Sequence, residues 1–198
     1  MADRHMRIGA SEVAALMRLD PFQTRLDVYN NKVNPKESIA KPKGAMWYGL
    51  RLENAIMQMV YELLHADDCY GQAVYDTEKV LQATVDCVLN NAVYRTKKIP
   101  ECIVEIKTSG FTGRSPESED WGRAGTDQIP VRVMLQVQAQ MLCASIPVAF
   151  IAKLSGDNGK GLQIYTCKKS KTIQEEILKV STEFWNNHVL TCVPPDDR

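Results

Sequence analysis

Neither sign of charge is in excess: 24 lysines and arginines stand against 24 aspartates and glutamates in 198 residues. A protein that coats nucleic acid over its whole surface is normally basic. A nucleic-acid partner would therefore have to be met in a local channel, with acidic groups gathered elsewhere. No apolar run is long enough to span a bilayer. The N-terminal stretch MADRHMRIG has no apolar core of the kind a secretion signal needs, so the expected location is the cytoplasm. The six cysteines, Cys69, Cys87, Cys102, Cys143, Cys167 and Cys192, form no CxxC pair and show no Cys/His spacing suited to zinc. They are also too scattered to hold an iron–sulfur cluster. Reduced and mostly buried thiols are the expectation. There is no internal repeat and no low-complexity tract.

What remains is an ordinary globular composition, 44% hydrophobic and 24% charged, sufficient for one core. We expect a single domain over 1–198. Residues 1–44 would hold N-terminal helices and a connector, 45–167 a central core, and 168–198 a closing helix and a frayed proline-rich tail. Ser11 is placed to cap a short helix, EVAALM, that Asp20-Pro21 ends. Thr24 is placed to cap RLDVYNNKV. A long helix is expected over 45–65, where Met46, Gly49, Ile56, Val60 and Leu63 suit an inward face. Strands are expected at 70–75, at 80–85 and 86–89 (as one strand or two) and at 102–108, with a turn at Asn90-Asn91. A long loop covers 110–126. Asp127 is placed to cap a helix with Pro130 in its first turn, reaching about Ser145. A strand pair at 147–154 and 161–167 precedes a helix over 171–189. The order predicts an α/β (α+β) fold, a central mixed sheet flanked by helices.

Within that frame a few polar residues occupy odd places. Side chains alternate along a strand, so Glu105 and Lys107 of IVEIK emerge side by side, with Val104 and Ile106 on the reverse face. Asp86 lies in another apolar strand-like stretch, ATVDCVL. It would meet Glu105 if the two segments pair. Two carboxylates converging from a sheet make a hard oxygen site suited to Mg²⁺ or Mn²⁺. A lysine beside them can orient water or offset phosphate charge, which are the parts phosphodiester cleavage needs. Taken alone, a Glu-x-Lys strand is more often a solvated pair on an exposed sheet face. Glu53 stands on the apolar face of the long helix. A buried carboxylate there calls for a metal or for a salt-bridge partner. Gln136, Gln138 and Gln140 are embedded among Val133, Val137 and Met141 and must hydrogen-bond something. For Gln138 and Gln140, core amide packing is the expectation.

The segments IGASEVAALM, AMWYGLRLENAI, LQATVDCVL, VEIKT and VMLQVQAQML occur in an order that resembles the lambda-exonuclease/YqaJ family of phage recombination exonucleases, within the PD-(D/E)xK nuclease superfamily. The resemblance covers about residues 4–166. It implies a restriction-endonuclease-like core in which Asp86, Glu105 and the Ile106 carbonyl bind Mg²⁺, while Glu53 binds a second metal or acts through water. Lys107 would orient the attacking water, and Gln136 would position water or DNA. Ser11 would receive a DNA 5′-phosphate, assisted by Arg4 or Arg7. Where the family often has Pro-Asp-Gly, this chain has Val85-Asp86-Cys87.

The resemblance further implies a 5′→3′ double-stranded DNA exonuclease that leaves 3′ overhangs for a single-strand annealing partner and works as a ring-shaped homotrimer. The alternatives are an endonuclease on the same core and a catalytically silent DNA-binding module. Trp121 and Arg123 in the long loop could contact DNA, but Trp121 is expected to dock on the protein's own surface, and the cluster Lys168-Lys169-Ser170-Lys171 to be a solvated basic turn.

Overall fold

The computed structural model describes residues 5–35, 42–76, 80–111, 120–156 and 161–196, with backbone alone for 70–76. A six-stranded mixed sheet forms its centre. The strands are β1 (Ile8–Gly9), β2 (Asp68–Asp76), β3 (Leu81–Tyr94), β4 (Lys97–Ser109), β5 (Val148–Ser155) and β6 (Gly161–Lys168). The helices are α1 (Val13–Leu16), α2 (Arg25–Val33), α3 (Ala45–Leu63), α4 (Val131–Ala144) and α5 (Lys171–Phe184). The sheet runs β1-β3-β4-β5-β6, with β2 also paired to β3. β3 is antiparallel to β2 and β4, β4 is parallel to β5, and β5 is antiparallel to β6.

One feature of the register creates the site. Gln82 pairs with Asp76 of β2 and also with Gly9 of β1, so β1 and β2 flank opposite edges of β3. β1 therefore shares an edge with β4. Pairing to β4 starts only at Cys87 and runs to Tyr94. Between these partners, residues 83–86 form an unpaired stretch of strand edge. A strand edge left open must find other hydrogen-bond partners. Here the partners are side-chain groups of the site described below.

Helices cover both faces. Ile56, Val60 and Leu64 of the α3 region pack on Cys87, Leu89, Cys102, Val104 and Phe150. On the other side α4 sets Val133, Val137 and Met141 against Ile103, Ala149 and Ile151. Its outer face carries Leu135, Ala139 and Cys143, which join α1, α2 and α5. α4 is thus enclosed on almost every side, and its three glutamines are buried. Each fully enclosed aliphatic side chain contributes about 1.5–3 kcal/mol by leaving water, so three such layers hold the sheet edge and α4 in fixed relation.

Several sequence expectations are met closely. Thr24 caps α2 in a reciprocal capping box with Asp27, and the Thr24 backbone N–H, with its hydroxyl, holds the Asp27 carboxyl below its usual value. Thr24→Ala is expected to cost about 1 kcal/mol, read as a lowered urea midpoint with an unchanged slope. The 81–94 region is one long strand, and the β5–β6 pair forms as expected. All six thiols are free; Cys87, Cys102, Cys143 and Cys167 are buried. Burial pushes the Cys102 thiol up to about 12 and the Cys167 thiol up to about 11. No helix among the described residues is long and apolar enough to cross a membrane.

Others are corrected. Ser11 is not a cap: it lies inside a 3₁₀ turn, Ala10–Glu12, whose cap is Gly9. Asn90-Asn91 is not a turn. The reversal comes at Arg95-Thr96, both with positive φ, and β3 continues through Asn91 because Ala92 to Tyr94 still pair with β4. Met46 and Leu63 do not face inward; they are 66% and 54% exposed, and Leu64 takes the inward place. Asp127 does not cap α4, which begins after Pro130. The last helix gives way at Trp185 to a π-helical turn over Trp185–Val189. The C-terminal segment is not frayed as far as Asp196. Pro195 is buried, and Arg18 donates to the Asp196 carbonyl. Parts of the 36–41 connector, the 112–119 loop and the 157–160 turn, as well as Arg4, lie outside the described residues.

Candidate active site

The register of β3 on β4 makes Asp86 and Glu105 the next opposed pair beyond Cys87 and Val104. Directly opposed residues of an antiparallel pair point to the same face. Instead of a further backbone rung, the Ile106 N–H donates to Asp86 Oδ2 at 2.7 Å. Val85-Asp86-Cys87 is therefore strand, not a turn, and a carboxylate takes over the ladder where the backbone stops pairing. The apolar residues of β3 also change side at this point. Ala83 and Val85 join clusters around α4, whereas Cys87 and Leu89 pack under α3.

Glu105 is only 3% exposed and is held by three donors. Lys107 Nζ lies 2.6 Å and Gln136 Nε2 2.7 Å from Oε1. Gln140 Nε2 lies 2.6 Å from Oε2. Gln136 Oε1 in turn accepts from Lys107 Nζ at 2.9 Å. Lysine, glutamate and glutamine close a ring of charge-assisted bonds, the strong kind. An ammonium has three N–H groups. Two are spent here, and the side chain stays 22% exposed, so one N–H remains for a water or a phosphate oxygen.

Asp86 is the strained member. Burial, reinforced by the Glu105 charge and by Glu53, raises its pKa to about 7; the Ile106 N–H and Lys107 pull the other way. Among the described residues its only hydrogen bond is the one from Ile106.

Asp86 and Gln136 open on a cleft of about 320 Å³ lined also by Thr84, Gln82, Glu53 and the Gly9–Glu12 turn; Glu105 and Lys107 are bonded to Gln136 but do not line it. The site is thus built where β1 and β4 part. Asp86, Glu105, Lys107 and Gln136 come together as expected, and Glu53 lines the same cleft. Ser11 does too, on the exposed side of its turn. Arg7, just ahead of β1, is not among the lining residues. Among the described residues no three His, Cys, Asp or Glu side chains form a ready-made metal cage. The donor set nonetheless fits a hard divalent cation. Two adjacent carboxylates, one with its charge disfavoured by burial, gain most from a cation between them.

Two features escaped the sequence reading. Gln140 is buried as expected of a core amide, but its hydrogen bonds go to Glu105 and to the Thr84 carbonyl. Its signal was its position one turn beyond Gln136, on the same face of α4. Gln138 does behave as a core amide: it donates to the Lys168 carbonyl and accepts from the Ser170 N–H. The second feature is a buried ion pair, Lys32 Nζ to Glu12 Oε2 at 2.6 Å, in which the same oxygen accepts from the Gly9 N–H. It ties α2 to the turn that carries Ser11, and nothing in the local sequence announces it. Trp121 docks on the protein as expected, its ring 4.9 Å from the Tyr165 ring and 4.9 Å from Lys153 Nζ.

A mixed sheet between helices, with an aspartate opposite a Glu-x-Lys strand, is the arrangement of the PD-(D/E)xK nucleases. The chain belongs to the YqaJ-like viral recombinase domain family, whose model matches residues 1–147. No curated protein matches the sequence. Among solved structures it is similar in fold to an alkaline exonuclease, LHK-Exo, from Laribacter hongkongensis. The TM-score is 0.70 at 14% identity, over 97% of this chain and 92% of that one. The same enzyme in complex with dAMP gives 0.69, at 14% identity over 96% and 91%. A phage-related exonuclease from Haemophilus somnus 129PT gives 0.61 at 10% identity, over 95% and 97%. A SOX protein in complex with DNA gives 0.55 at 10% identity, over 96% of this chain and 67% of that one.

Proposed function

We propose that this protein is a Mg²⁺-dependent 5′→3′ exonuclease on double-stranded DNA, which Mn²⁺ also supports, and that it produces 3′ overhangs for recombination by strand annealing. The observation that carries this reading is the hydrogen-bonded set of Glu105, Lys107 and Gln136 beside Asp86, with Asp86 and Gln136 lining a cleft that also holds Glu53 and Ser11. Family membership supports the recombination role. The similar folds captured with dAMP and with DNA support a nucleic-acid substrate. Asp86, Glu105 and the Ile106 carbonyl would hold the cation, with Glu53 across the cleft. Once bound, the metal would supply Lewis-acid stabilisation of the phosphate oxygens. The protein's own contribution is positional. Lys107, fixed by Glu105 and Gln136, presents its remaining N–H to the attacking water, and the buried walls keep other water away.

Ser11 would meet the terminal 5′-phosphate from the edge of the cleft. Ser11→Ala is expected to reduce the preference for a 5′-phosphate over a 5′-hydroxyl end by roughly tenfold, the worth of one hydrogen bond to a charged group. Competing the two ends in one digest measures it. We further propose a cytoplasmic homotrimeric ring acting with a single-strand annealing protein; family resemblance supports both parts.

The decisive experiment digests a linear duplex with one 5′-phosphate and a label on each strand, in Mg²⁺ or in EDTA. Mononucleotides released only from the 5′-phosphorylated strand, and only with metal, are the expected result. Cuts in a closed circle would instead make the protein an endonuclease. Cleavage of neither substrate would make it a binding module.

A further inference from the structure

Gln140 is fully buried, with Val137, Ala139 and Met141 packed around it on α4. Its amide nitrogen donates to two oxygens carried by different strands. One is Glu105 Oε2 on β4, at 2.6 Å; the other is the Thr84 carbonyl on the unpaired edge of β3, at 3.1 Å. Lys107 and Gln136 both bind the other glutamate oxygen, so among the described residues Gln140 is the only partner of Oε2.

The amide cannot be turned over. Reversed, its oxygen would face a carboxylate and a carbonyl, which are both acceptors. The orientation leaves Gln140 Oε1 with no hydrogen-bond partner. A side chain that served packing alone would do better as methionine, which fills the same length with no polar atom to leave unpaired. The unpaired oxygen accompanies a nitrogen that joins Glu105 to the strand carrying Asp86, two residues beyond Thr84.

We propose that Gln140 is a positioning residue for the two carboxylates: by tying Glu105 Oε2 to the β3 edge at Thr84, it fixes the Glu105 carboxylate relative to Asp86. The proposal rests on the reading that these two groups share a divalent cation. Groups that hold a metal's ligands in place typically contribute about 10–100-fold in metal affinity.

The test uses the full chain and Gln140→Met, with Mn²⁺ binding followed by the electron paramagnetic resonance of free Mn²⁺, without DNA. The expected result is affinity weaker by roughly tenfold and a fall in kcat without a matching rise in KM, with a lowered melting temperature because Glu105 Oε2 and the Thr84 carbonyl lose their donor. Equal Mn²⁺ affinity in the two proteins overturns the role of Gln140 and leaves the nuclease reading standing. Absence of Mn²⁺ binding to wild type overturns both. Should Gln140→Met not fold, the side-chain ¹⁵N–¹H resonances of Gln140 in wild type carry the test. They shift on Mg²⁺ titration if the proposal holds, and a fixed position overturns it.

Discussion

Lys107→Ala is expected to lower Mg²⁺-supported cleavage on the order of 10³-fold while leaving the fold intact, a loss of the size seen when one preorganised charge-stabilising donor is removed. The reason is local. Lys107 sits near the C-terminal end of β4, and Glu105 keeps Gln136 and Gln140 as partners after the change. What disappears is, among the described residues, the single cation fixed within hydrogen-bond reach of both Glu105 and Gln136. Initial rates on the 5′-phosphorylated duplex, with melting temperatures alongside, measure the effect. A variant within tenfold of the wild-type rate would show that Lys107 does no chemistry and is only an ion-pair partner of Glu105.

Asp86→Asn is expected to abolish cleavage and yet to stabilise the metal-free protein at pH 8. The Asp86 carboxyl titrates at about 7 in the fold against 3.8 as the ordinary value, because burial and Glu105 disfavour its charge. A carboxyl raised in the folded state binds protons more tightly there than in the unfolded chain. Stability from this group therefore falls as pH rises from about 4 to about 7, and the deficit is complete above that range. At about 1.4 kcal/mol per pH unit, with relaxation around the charge reducing the full value, Asn removes a deficit of about 2–4 kcal/mol. Below pH 4 the two proteins should be equally stable. Added Mg²⁺ should raise the wild type and leave Asp86→Asn unmoved. Urea denaturation at pH 3.5 and pH 8, in EDTA and in Mg²⁺, reads all of this. A variant no more stable than wild type at pH 8 would mean that Asp86 is not held in a strained charged state. On the proposed reading, the same buried charge that weakens the metal-free fold would make the site demand a cation, a trade of stability for function.

The silent-module alternative and the nuclease reading separate on the same variants. A protein that only bound DNA would keep its affinity in Lys107→Ala and would show no rate to lose.

Much of this protein was determined by its sequence alone. The Thr24–Asp27 capping box is a local interaction three residues long, so its helix could be read to the residue. Alternation along IVEIK placed Glu105 and Lys107 on one face because a strand's geometry leaves no other choice. The Asp86, Glu105, Lys107 and Gln136 set was legible because residue types and order together resemble a family, although each motif alone is weak. Tertiary structure decided the rest. Asn90-Asn91 has turn chemistry, but β2 and β4 pair across it and hold it in a strand. Met46 and Leu63 follow helical spacing, yet which face of α3 is covered depends on where the sheet lies. Gln140 became a site residue only because β1 and β4 part along β3 and leave Thr84 and Glu105 within reach of one amide. The Lys32–Glu12 pair likewise joins residues that no local pattern connects. Local hydrogen bonding and strand alternation act over a few residues and are written in the chain. The gap between two strands that share an edge exists only once all six strands are in register.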